Sequence, residues 1–210
     1  MEKTYNLVAG RSVERIGGLS DGVFAIAMTL IVLDVRVPSH LSITSEAGLA
    51  AAIAALAPQM VTYLLSFLIL GIFWVGQAAQ LEQFQRSDRD LTWIQLAFLA
   101  AVATMPFTTH LLAEFITYRL ALVIYWINML VLGALLYVSW RHAERAGLVR
   151  DDAPPGLSAA IVRRIVVAQI LYAVSAALCV ISTYLSIGLM VGLQLYYAIA
   201  PRWRPRAKAA

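Results

Sequence analysis

The stretch Arg15-Ile16-Gly17-Gly18-Leu19-Ser20-Asp21-Gly22-Val23-Phe24-Ala25-Ile26-Ala27-Met28-Thr29-Leu30-Ile31-Val32-Leu33-Asp34 decides how the rest of the chain is read. It is an apolar run of membrane character, but barely long enough to cross a hydrocarbon layer of about 30 Å, and a Ser-Asp pair sits near its start. At 100° per residue, Gly22, Ile26, Thr29, Leu30 and Leu33 fall in one stripe about 100° wide, while Asp21, Ala25, Met28 and Val32 fall on the other side. A branched apolar stripe carrying one hydroxyl fits packing against neighbouring helices. That is the first reading on spacing alone; the sharper one is a hydrophobic constriction where several copies meet around an axis, a known way to gate a pore by dewetting.

The surrounding composition fixes the class. Of 210 residues, 61% are hydrophobic and 13% charged, with a mean hydropathy of +0.77. A soluble domain uses about half apolar and a quarter charged residues, so the chain is expected to be an all-α polytopic membrane protein. Apolar segments are predicted at 19–35, 49–77, 92–112 and 119–140. The block from Ile165 to Ala200 is too long for one crossing and is predicted to be a hairpin, 165–181 and 184–200, turning at Ser182-Thr183-Tyr184 or Ser186-Ile187-Gly188. These six segments are expected to form one domain spanning residues 1–210, in spite of the Asp151-Asp152-Ala153-Pro154-Pro155-Gly156 linker.

The net charge of +4 is explained by topology rather than by nucleic acid, which is not expected as a partner. With six crossings, fourteen of the sixteen basic residues fall on one side, leaving Arg36 and Arg119 opposite, and both termini are then expected in the cytoplasm. The tail from Arg202 to Lys208 could bind anionic lipid, but such clusters are more often plain topogenic charge. Asp34 and Arg36 directly follow the first apolar run without a small-x-small site, so that run is expected to remain in the mature chain.

Little points to catalysis. Cys179 is the only cysteine, and His40, His110 and His142 stand at predicted helix ends without a carboxylate cluster, so neither a metal site nor a cofactor is expected. No nucleophile with a base and no Gly-rich phosphate loop are present, and the enzyme reading has little support. The polar residues gather elsewhere. Trp74, Gln77 and Gln80 close the second segment, and Asp88, Asp90, Trp93 and Gln95 open the third, on the same side as Arg15, Ser20 and Asp21. Interfacial anchoring and helix capping account for them singly. A polar network holding the foot of the first segment accounts for them together, since buried polar groups in a bilayer need partners. Ser20 or Asp21 could instead cap the first helix, with Arg15 as the cation, and Pro106 is predicted to kink or end the third.

Arg15-x-x-x-Leu19-Ser20-Asp21, followed by Gly22-Val23-Phe24-Ala25-Ile26-Ala27-Met28-Thr29-Leu30 and Leu33-Asp34-Val35-Arg36-Val37-Pro38, resembles the Arg-x-x-x-Phe-Ser-Asp signature of the endolysosomal potassium channel family, transmembrane protein 175, in its bacterial form. Ser66-Phe67, Gly71-Ile72-Phe73-Trp74, Asp90-Leu91-Thr92-Trp93 and Pro106-Phe107-Thr108 extend the similarity over roughly the first 115 residues. The resemblance implies a six-helix subunit assembling as a homotetramer in a bacterial inner membrane, with the first helix lining a central pore that passes potassium among monovalent cations. Carried over by position, Ile26 would be the constriction, Thr29 a nearby hydroxyl, and Leu30 and Leu33 further apolar rings. Arg15, Ser20, Asp21, Trp74, Gln77 and Trp93 would form the supporting network. Leu19 stands where the signature has an aromatic, and Gln77-Ala78 where many relatives carry a His pair, so a proton response built on those histidines is not implied here. The rival readings are a proton-coupled secondary transporter using Asp21 and a non-conducting membrane adaptor.

Overall fold

The computed structural model describes residues 12–33, 35, 37–38 and 43–199; Asp34, Arg36, His40 and the basic tail lie outside them. Helix α1 runs Val13–Val32 and is capped by Ser12, whose side chain accepts from the Arg15 amide at 3.2 Å. The sequence reading starts this helix at 19, after two glycines. Each glycine costs about 1 kcal/mol against alanine, yet the helix passes through Gly17 and Gly18 without a break. A segment at membrane depth must satisfy its backbone internally, which favours continuation. Ser20 and Asp21 therefore sit two turns inside the helix, and the capping role considered for them is corrected: Ser12 holds it.

The second predicted segment forms two helices, α2 (Glu46–Ala55), capped by Ser45, and α3 (Ala57–Leu81), with the break at Leu56. Pro58 explains the break, because it lacks an amide proton and its ring would press on the carbonyl four residues earlier. Helix α4 (Arg89–Glu114) opens on Asp88, whose carboxylate accepts from the Leu91 amide at 2.7 Å. Pro106 does not end α4, which continues for two further turns. Helix α5 (Arg119–Arg145) closes with Gly147 at φ +62: the Leu148 amide reaches back to the Ala143 carbonyl at 2.9 Å and the Gly147 amide to Glu144 at 3.3 Å. A left-handed glycine is the ordinary way to turn a chain off a helix end. Helix α6 (Leu157–Ala177) runs into a 3-10 turn, Leu178–Val180, and α7 (Thr183–Ile199) follows, capped by Ser182 through the Leu185 amide at 3.4 Å.

Five of these helical segments are long and apolar enough to cross a membrane: α1, α3, α4, α5 and Leu157–Val180; α7 is apolar and 17 residues long. The protein is thus an all-α, multi-pass membrane bundle. Helices α4 and α5 form its most extensive contact, α1 lies against α3 and α4, and α7 joins α3 to α6. Helix α6 buries only Tyr172, Ser175 and Ala176, which puts it at the edge of the bundle.

The chain turns that join α3 to α4 and α5 to α6 are locked together. Phe84 pairs with Val149 in a short antiparallel bridge, the Gln85 amide donates to Leu148 and the Arg150 amide to Gln83, both at 2.9 Å. Phe84 stacks on Trp140 at 5.9 Å, and His142 Nε2 lies 2.9 Å from Asp88 Oδ2. The start of α1 lies at this same end, where Ile16 packs in one cluster with Leu81, Phe84, Leu91 and Trp140.

Candidate pore-lining face and its support

Helix α1 has two unlike sides. Ile16, Ser20, Phe24, Ala27 and Ile31 are buried at helical spacing, and the aromatic rings of Phe24 and Phe73 flank Phe98 at 6.0 and 6.4 Å. Opposite them, Ile26 is 61% exposed, Leu33 74% and Leu30 46%, and Thr29 is exposed as well. The whole sequence-predicted stripe of Ile26, Thr29, Leu30 and Leu33 is thus uncovered in the single subunit. Gly22, one turn before Ile26, would place a Cβ in open space. The uncovered side is wider than that stripe, since Asp21, Ala25 and Val32 are exposed too, whereas Met28 is half-buried against the core and meets Gly71. A row of large exposed apolar groups on a membrane helix suits contact with lipid or with another copy of the chain.

The Thr29 hydroxyl donates into its own helix, to the carbonyls of Ala25 and Ile26, both at 2.9 Å. With its proton engaged there, the oxygen can offer only lone pairs outward, and that suits a cation.

A chain of neutral hydrogen bonds supports the buried side. Gln77 Nε2 donates to Ser20 Oγ at 2.9 Å and to Gln95 Oε1 at 2.7 Å, and Gln95 Nε2 donates to Ser139 Oγ at 2.8 Å. Four helices, α1, α3, α4 and α5, are tied by four side chains that are each no more than 2% exposed. Such bonds cost little to keep and much to break, because a partner left alone at membrane depth has no water to turn to. Beside this chain, Trp74 Nε1 donates to Asp21 Oδ1 at 2.7 Å, joining α1 to α3 at the surface. Asp21 has no ion pair with Arg15.

Of the six residues expected to support α1, the structure brings together Ser20 with Gln77 and Asp21 with Trp74, and leaves Arg15 and Trp93 exposed, apart from both pairs. Ser139 is the member that sequence reasoning missed. Its one signal is a small hydroxyl inside the apolar run of α5, and that is weak on its own. The Asp88–His142 contact was missed as well, although a carboxylate at a helix start and a histidine in the last turn of another helix could have suggested it.

The structure is thus a membrane bundle whose first helix is packed on one side and exposed on the other. The family model described as "Endosomal/lysosomal potassium channel TMEM175" matches residues 15–106. A potassium channel of Streptomyces collinus (strain DSM 40733 / Tue 365) is 32% identical over 203 residues, covering 93% of this chain and 96% of that protein. A potassium channel of Chamaesiphon minutus (strain ATCC 27169 / PCC 6605) is 33% identical over 189 residues, covering 88% and 93%. The crystal structure of a lysosomal potassium-selective channel TMEM175 homolog from Chamaesiphon minutus superposes with a TM-score of 0.76 at 31% identity, over 90% of this chain and 97% of that one. The chain belongs to the TMEM175 potassium channel family.

Proposed function

We propose that four copies of this chain form a potassium-preferring cation channel that conducts passively through a central pore lined by α1. The observation that carries the reading is the bare face of Ile26, Thr29, Leu30 and Leu33 on a helix whose other side is fully packed. One such face cannot enclose a pore, and a ring of copies can. Ile26 is the narrowest apolar ring, Leu30 and Leu33 add further rings, and the Thr29 hydroxyls offer oxygen to an ion that has shed part of its shell. Potassium is dehydrated more cheaply than sodium, so the order of preference follows from the rings. The preference is modest, because an apolar ring gives the ion no ligand. Ser20, Gln77, Gln95 and Ser139, with Asp21 and Trp74, hold α1 in register. The membrane is a bacterial inner membrane with both termini in the cytoplasm, a reading supported by the placement of the basic residues.

Reconstitution of the purified chain in a planar bilayer tests this reading. Unitary current steps carried by potassium, and smaller ones with sodium, are the expected result. Stoichiometric proton-coupled flux without unitary steps would favour the transporter reading and overturn the channel, and no flux at all would favour an adaptor.

A further inference from the structure

Helix α6 borders two adjoining cavities that the conduction mechanism does not use. The first is a cleft of about 710 Å³ at its start, walled by Gly156, Ala159, Arg163, Arg164, Tyr196 and Tyr197. Neither arginine makes an ion pair within the described residues. Two unpaired guanidinium groups beside two tyrosines, at the end of membrane helices, match what a phosphate at the lipid interface requires.

The second cavity, about 140 Å³, lies between α3, α5 and α6, and Arg164 lines both. Its walls are apolar, with Ile69, Phe73, Leu136 and Ile165 among them, yet three of the residues that line it carry a buried polar atom without a hydrogen-bond partner: Gln80 Oε1, Gln169 Oε1 and the Tyr172 hydroxyl. Gln80 and Tyr172 are each only 2% exposed. Gly133 makes room for this arrangement. A Cβ there would run into the Gln169 side chain, which lies across α5 with Nε2 donating to the Met129 carbonyl at 3.4 Å. Two amide carbonyls need donors. An ammonium headgroup would donate, but it would also bring a second cation beside Arg164. A hydroxylated headgroup donates without added charge, and a volume equal to four or five waters at about 30 Å³ each is room for a glycerol unit.

We propose that these cavities together hold an anionic phospholipid with a hydroxylated headgroup, its phosphate on Arg163 and Arg164 and its hydroxyls on the side-chain carbonyls of Gln80 and Gln169. The site rests on the membrane reading of the chain but not on conduction, so lipid retention can succeed or fail independently of current.

Native mass spectrometry of the full chain, released from vesicles of phosphatidylglycerol, phosphatidic acid or phosphatidylcholine with matched acyl chains, tests it. Phosphatidylglycerol should be retained above both others. Arg163→Gln and Arg164→Gln should each lower its retention roughly fivefold, as expected for one basic residue at an anionic surface. Gln80→Met, which keeps the length of the side chain and removes its carbonyl, should level phosphatidylglycerol with phosphatidic acid while leaving both above phosphatidylcholine. Gly133→Ala, by displacing Gln169, should act in the same direction. Equal retention of all three lipids, or arginine variants that retain phosphatidylglycerol as the native chain does, would overturn the proposal. Saturation of the site by free glycerol phosphate in lipid-free detergent would also overturn it, by making the ligand a soluble phosphate ester.

Discussion

At the scale of single residues, Thr29 and Ile26 divide the work expected of α1. The Thr29 proton is committed to the Ala25 and Ile26 carbonyls, so its contribution to an ion is one oxygen per subunit. Thr29→Val keeps the shape and removes that oxygen. The expected outcome is an intact assembly whose potassium-to-sodium permeability ratio drops, since the substitution removes one oxygen from every subunit; reversal potentials under bi-ionic conditions measure it. Gly22 makes a second, cleaner probe. Its added Cβ meets nothing within the subunit, so Gly22→Ala should raise helix stability by up to about 1 kcal/mol if α1 faces open space in the assembly. A loss of the oligomer on size-exclusion chromatography would mean instead that a neighbouring chain comes close at Gly22.

At the scale of elements, the buried side of α1 depends on a neutral network and an aromatic cluster. Gln77→Leu removes the bridge between Ser20 and Gln95 and leaves both buried without that partner, a loss of about 2 kcal/mol. Phe24→Ala empties the space beside Phe98, at about 3 kcal/mol. Both should lower the thermal midpoint in detergent, followed by tryptophan fluorescence. Asp21→Ala, which removes the Trp74 contact, should impair assembly or conduction rather than shift selectivity. Normal currents from a normal assembly would make that contact incidental.

The elements also show what was legible beforehand. The period of α1 was readable because a branched residue recurs every three or four positions from Ile26 to Leu33. Its start was not, since Gly17-Gly18 looks like a boundary and Ser20-Asp21 looks like a cap, whereas the less prominent Ser12 holds that role. The break at Leu56 was hidden because Pro58 lies in an alanine-rich run whose hydropathy carries straight across it. Gln77 and Gln95 stood out as polar groups near helix ends. Their connection through Ser139 did not, because which faces of α4 and α5 meet is set by packing between helices, not by local pattern.

At the scale of the whole molecule, the bare side of α1 is one of the exposed apolar surfaces of the subunit, and the one the proposed pore uses. The tetramer proposed here predicts a protein mass in detergent of four times the 23.0 kDa chain, read by light scattering with the detergent contribution removed. A monomer or dimer would leave the pore without a wall. The central claim, that the exposed face of α1 lines the conduction path, is tested most directly by single-channel recording of Ile26→Asn and Met28→Asn under bi-ionic potassium and sodium. Ile26 is bare and Met28 is packed on the core, so only the first change should wet the pore, raising conductance and weakening discrimination between the two ions. Met28→Asn should lower the yield of folded channels and leave the conductance of those that form nearly unchanged. Equal effects at the two positions, or none at Ile26, would contradict the account.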